Sequence, residues 1–145
     1  MSTRNDVLGA YATLLATIST ANGYANDVVK VAQRMLYWDQ EEGFPVLMVL
    51  GGNEEFEDTL DGKVYSTLHV LIRGYSQNSS DPDSALNSII ADVLKVLESP
   101  GNSYADKQRI LTVETDEGWF NFQEQGFGYF NLELTTFYGF NRGAP

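Results

Sequence analysis

The chain has 145 residues, 43% of them hydrophobic, enough to fill one ordinary core, and it reads as a single domain over residues 1–145. Twenty acidic residues against nine basic ones give a net charge of −11, which repels nucleic-acid phosphates on average, and without cysteine no disulfide or thiolate metal site can form. No apolar run approaches the roughly 18 residues of a membrane helix, and Met1 to Asp6 lack the basic-then-apolar pattern of a secretion signal, so folding in a cytoplasm, away from membrane, is expected.

The first predicted element is an amphipathic helix, in which Val7, Leu8, Tyr11, Leu14, Leu15 and Ile18 form one stripe. Asn5 or Asp6 can supply its N-cap oxygen, and Asn22-Gly23 is expected to stop it. Tyr24 to Trp38 is ambiguous, because Val29, Val31 and Met35 alternate with Lys30 and Arg34 while residues 32–36 could turn helical; it is assigned as a strand. After the polar loop Asp39 to Gly43, Pro45 to Leu50 is apolar on both faces and stops at Gly51-Gly52, as a central strand covered on both sides does. Gly51 to Gly62 reads as an acidic loop holding Glu54, Glu55, Glu57, Asp58 and Asp61.

Lys63 to Tyr75 then alternates cleanly, with Val64, Leu68, Val70 and Ile72 on one face and Lys63, Thr67, His69 and Arg73 on the other. Asp81 and Pro82 stand where an N-cap and a first helical residue belong. The stripe of Leu86, Ile89, Ile90, Val93, Leu94 and Leu97 follows, and Ser99-Pro100-Gly101 ends the helix. Arg109 to Glu114 is a further strand, with Ile110 and Thr112 opposite Leu111 and Val113, and Thr115 to Gly118 is a turn. The last strand, Gly128 to Phe140, sets Phe130, Leu132, Leu134 and Tyr138 against Tyr129, Asn131, Glu133, Thr135 and Phe137, with Phe140 beyond the alternating run. Helix, three strands, helix, two strands predicts an α+β fold of two layers: a mainly antiparallel sheet with both helices packed on one face.

The residues that could carry chemistry yield no reaction class. His69, the one histidine, stands mid-strand on the polar face with no nucleophile or orienting group near it in sequence, and reads as a surface or interface residue. Glu54, Glu55, Glu57 and Asp58 could attract a hard cation, but calcium-loop spacing is not met, and a solvated loop is favoured. Exchanging Glu54, Glu55 and Glu57 for glutamine is then expected to change stability little. Gly51-Gly52 lacks the further glycines and the lysine of a phosphate-binding loop and precedes negative charge. Asp116-Glu117-Gly118 reads as a turn, and Asp81 with Asp83 as a helix cap, rather than as glycosidase carboxylate pairs. No catalytic residue, cofactor or metal is expected. What remains is an aromatic excess near the end of the chain: Trp119, Phe120, Phe122, Phe127, Tyr129, Phe137, Tyr138 and Phe140 are more than one strand face can bury. Phe137 and Phe140, with His69 and Arg73, are the candidate interface residues.

Several segments in order carry a resemblance. They are the first helix, Asn22-Gly23-Tyr24 with Asp27-Val28, Phe44 to Gly52 with its acidic sequel, Leu71 to Tyr75, the helix from Leu86 to Leu97, Thr115 to Gly118 and the last alternating strand. Together they resemble the small tail-completion proteins, or tail terminators, of long-tailed bacteriophages. The resemblance implies a non-enzymatic virion protein, assembled in the bacterial host cytoplasm, that forms a hexameric ring on the head-proximal end of the tail tube. Such a ring stops tube growth and joins the tail to the neck. It implies as partners further copies of the chain, the tail tube protein and a neck or head-completion protein, with DNA passing through the lumen unbound. Glu54, Glu55, Glu57 and Asp58 would then border the lumen or a ring face. The alternatives are a head-completion or neck connector protein and a small metal-dependent enzyme using the acidic loop.

Overall fold

The computed structural model describes residues 3–59, 61–115 and 126–141. Helix α1 spans Arg4–Leu15 and starts from Thr3, two or three residues earlier than the sequence suggests. Asp6 N donates to Thr3 Oγ1 at 3.3 Å, while Thr3 N donates to the Asp6 carboxylate at 3.2 Å, a reciprocal cap that satisfies two otherwise orphaned amides. The helix ends at Leu15, well short of Asn22-Gly23; Gly23, at φ 90°, instead closes a 3-10 turn at Thr20–Asn22.

Strand β1 is only Lys30–Ala32, so the strand expected over Tyr24 to Trp38 is corrected to three residues. Beyond them the chain leaves the sheet edge and crosses the back of the sheet. Leu36 is buried there, its carbonyl accepting from the Tyr75 hydroxyl at 3.0 Å. The alternation was real but too short to decide what the segment packs on.

Strands β2 (Val46–Asp58) and β3 (Lys63–Gln77) form a long antiparallel hairpin. The predicted acidic loop is therefore corrected: Glu54, Glu55, Glu57 and Asp58 all lie on β2. Pairing with the strongly alternating β3 supplies the ladder that the glycines and carboxylates of this segment do not favour by themselves. A bulge sets Gly52 and Asn53 against His69 and turns the strand over. Before it Leu47 and Val49 face the helices; after it Glu54 and Phe56 do, while Glu55 and Glu57 face the back.

Helix α2, Pro82–Leu97, is capped as expected, with Ser84 N donating to Asp81 at 3.1 Å. Strands β4 (Gln108–Thr115) and β5 (Phe127–Asn141) complete a sheet of order β1-β2-β3-β5-β4, parallel only between β1 and β2. A bulge in β4 pairs Ile110 with Leu134 and Val113 with Leu132, so Val113, not Thr112, shares the side of Ile110. The main core lies between the sheet and both helices, where Leu47, Val49, Val70, Ile72, Leu132 and Leu134 meet Val7, Tyr11, Leu15, Ile89, Val93 and Leu97. Gly74 is required in this layer, because a Cβ there would lie 2.4 Å from the Phe130 ring and 2.7 Å from Leu47. A second, smaller cluster on the back joins Leu36, Val46, Met48, Tyr75 and Phe127 under Trp38 and Phe44.

Candidate assembly surfaces

Two features lie at the end of the sheet that carries the hairpin. On the helix side the bulge aims Glu54 at the start of α1, where its side chain is only 9% exposed. It pairs with Arg4 at 3.1 Å and accepts hydrogen bonds from the Ser66 and Tyr138 hydroxyls, while Arg4 also donates to the Gly52 carbonyl at 2.9 Å. Burial disfavours the carboxylate, but the bonds from Ser66, Tyr138 and Arg4 together outweigh it and hold the Glu54 carboxyl below its ordinary value of 4.5. Burial, and then the Glu54 carboxylate beside it, push the Tyr138 hydroxyl up to about 12.

Glu54 is therefore part of the fold, unlike the exposed Glu55 and Glu57, and the expectation that all three are dispensable for stability is corrected for Glu54. Glu54→Gln is expected to cost about 2 kcal/mol at pH 7. A carboxyl depressed in the folded state contributes stability that is complete above pH 4.5 and is lost as pH falls through its folded value. The gap between wild type and variant in urea midpoints should thus narrow from pH 7 to pH 3. A gap that is constant with pH would assign the loss to shape rather than charge.

On the back of the sheet, His69 Nδ1 lies 2.8 Å from Glu133, and Arg73 Nε donates to Asn131 at 2.9 Å while its Nη1 meets Met35 sulfur at 3.3 Å. Both candidate interface residues are thus half-buried and engaged with β5 neighbours across the ladder. Glu133 and Asn131 could not be recognised as their partners without the β3–β5 register. Phe137, 44% exposed, stacks on Tyr65 with ring centroids 5.3 Å apart. Phe140 does not join it. At 8% exposure it follows Phe130, Leu132, Leu134 and Tyr138 on the helix side, two residues further along an unbroken alternation, and it is corrected from interface to core. Phe127 packs at 4.8 Å from Trp38 and 5.1 Å from Phe44 in the back cluster, and Tyr129 lies beside Tyr75. Among the described residues, the C-terminal aromatic excess therefore reduces to Phe137 as a large exposed ring; Trp119, Phe120, Phe122 and the turn at residues 116–118 lie outside them.

Residues 1–139 match the family model described as Bacteriophage Tail Tube Terminator Protein. The chain belongs to this family. It is a structural component of the phage virion tail, and the resemblance read from its ordered segments holds over nearly its whole length. No curated protein sequence matches it. Among solved structures, the PVC sheath/tube terminator of an extracellular contractile injection system, imaged by cryo-EM in its extended state, aligns over 99% of the chain at 11% identity with a TM-score of 0.46. The chain covers 60% of that protein's length.

For a tail tube terminator, the four carboxylates of β2 do not make a metal centre. Alternation along β2 puts Glu54 and Asp58 on one face and Glu55 and Glu57 on the other, so the four do not converge on a single point. What the arrangement offers instead is a stiff acidic arm, braced through Glu54 and bearing an exposed Phe56 (62%) on one side and the Tyr65–Phe137 stack on the other.

Proposed function

We propose that the chain forms a homo-hexameric ring that caps the head-proximal end of the tail tube, stops further addition of tube subunits and joins the tail to the neck protein. The observation that carries this reading is the family match over residues 1–139. The charge agrees with it: a surface with a net charge of −11 does not hold phosphates, which suits a ring through which DNA must pass without binding. Glu55 and Glu57, exposed on the back of the arm, are suited to a lumen or ring face, and Phe137 to contact with a tube subunit or a neighbouring copy. Assembly would take place in the host cytoplasm and needs no cofactor.

The test is to let purified tail tube protein polymerise with increasing amounts of this chain and to measure tube length by negative-stain electron microscopy. Mean length is expected to fall as the chain is added, with extra density at one tube end. Tubes of unchanged length and bare ends would remove the reading, and binding to the neck protein alone would favour a neck connector.

A further inference from the structure

The two outer edges of the sheet place opposite charges at one height, Glu55 on one and Lys107 on the other. On one side β1 pairs with β2 only as far as Met48, and among the described residues no strand pairs with residues 49–57 on that side. On the other side β4 is the last strand of the sheet among the described residues, and all of residues 111–115 are exposed, the apolar Leu111 and Val113 included. Strand edges left this open are templates for another strand. The β2 edge carries the exposed Glu55 and Glu57, whereas the exposed Lys107 and Arg109 stand just before and at the start of β4.

The ladder fixes how these charges are placed. The Lys107 carbonyl accepts from Phe137 N at 3.0 Å, Phe137 pairs with Thr67, and Thr67 pairs with Glu55. A line straight across the strands therefore runs from Lys107 at one edge to Glu55 at the other. Arg109 pairs with Thr135, and Thr135 with His69, so Arg109 shares the back face with Glu55 and Glu57. Three successive antiparallel pairings make β4 run opposite to β2. Rotation about an axis along the strands preserves both height and direction. It would bring β4 of one copy beside β2 of the next, antiparallel, with Lys107 level with Glu55. The contact joins two different surfaces, so it repeats around a closed ring rather than ending at a dimer. Pairing β2 with β2 would instead set carboxylates against carboxylates.

We infer that adjacent copies of this chain join by antiparallel pairing of the β4 edge of one with residues 49–57 of β2 of the next, Lys107 directly opposite Glu55 and diagonal to Glu57, and Arg109 level with the Gly52-Asn53 bulge and diagonal to Glu55. This rests on the ring reading above and supplies its subunit contact. Opposite charges across such a pair favour it, and like charges oppose it.

The test uses native mass spectrometry on the wild type, E55K/E57K, K107E/R109E, their equimolar mixture and the chain carrying all four substitutions. The wild type is expected to form a ring, and each double reversal alone to raise the concentration needed for it at least tenfold. The mixture and the four-site chain are expected to restore the ring, because each again sets opposite charges across every seam. Circular dichroism melts report whether each variant is folded; where a double reversal unfolds, E55K and K107E singly give the same reading. Rings that withstand both reversals, or reversals that neither the mixture nor the four-site chain rescues, would overturn the seam and leave the ring standing. A dimer unaffected by E55K/E57K would overturn it in favour of β4 pairing with β4. A wild type that stays monomeric at every concentration, and on tube ends, would overturn both seam and ring.

Discussion

Asp92→Ala is expected to destabilise the isolated protein by about 3 kcal/mol, with no direct effect on any assembly surface. Asp92 lies on α2 at 5% exposure, and its carboxylate accepts from Ala25 N at 3.1 Å, Asn26 N at 2.9 Å and Asn26 Nδ2 at 2.8 Å. Those donors belong to the connection between α1 and β1, which has little regular structure of its own and takes three of its bonds to α2 from this one side chain. Lys95, one turn further along α2, adds a bond to the Gly23 carbonyl at 2.9 Å and lies over the Tyr24 ring. Alanine leaves two backbone amides and a side-chain amide without their acceptor, and bonds to a charged acceptor are the stronger kind. Asparagine keeps one oxygen but aims an N–H at these donors, so Asp92→Asn should recover only part of the loss. Urea titration of the three proteins measures it. An alanine variant within about 0.5 kcal/mol of wild type would mean that water replaces the carboxylate and that α2 does not hold the connection.

Phe140→Ala and Phe137→Ala, three residues apart on β5, are expected to give opposite results. Phe140 packs within the main core beside Tyr138, with the Phe56 ring edge-on at 6.3 Å, and its removal is expected to cost about 3–5 kcal/mol. Phe137 is 44% exposed and stacked on the half-exposed Tyr65, so its loss should cost the monomer under about 1 kcal/mol. Its effect should appear in association, which should weaken by about 2 kcal/mol or more if the ring anchors a neighbouring protein. Thermal melting of the isolated variants and tail length in phage carrying them separate the two effects. A large stability loss for Phe137→Ala with normal tails would return that ring to the monomer and remove it from the interface.

What could be read in the sequence were the properties set by local spacing. The stripe of α2 between Asp81-Pro82 and Pro100, the alternation of β3, and the order of helices and strands all come from residues within a few positions of one another, so each appears as a period in the chain. The family resemblance rests on the same ordered segments. The tail-terminator assignment, unlike the details of the surface, is therefore carried by the sequence itself. Tertiary structure decided what depends on register. The bulge at Gly52-Asn53, opposite His69, decides that Glu54 turns to the helix side, where Arg4, Ser66 and Tyr138 brace it, and that Glu55 and Glu57 are exposed on the back. Nothing in the run of carboxylates marks that division, because glycine and acidic residues carry almost no strand signal and the ladder that orders them is supplied by β3. Phe140 went to the core because alternation along β5 continues to its end, against a hairpin whose length the sequence did not disclose. The charged edges of the sheet have the same origin: Lys107 and Glu55 are 52 positions apart in the sequence and share one level only because two intervening strands pair in a fixed register. Antiparallel pairing joins residues at separations that no local period records.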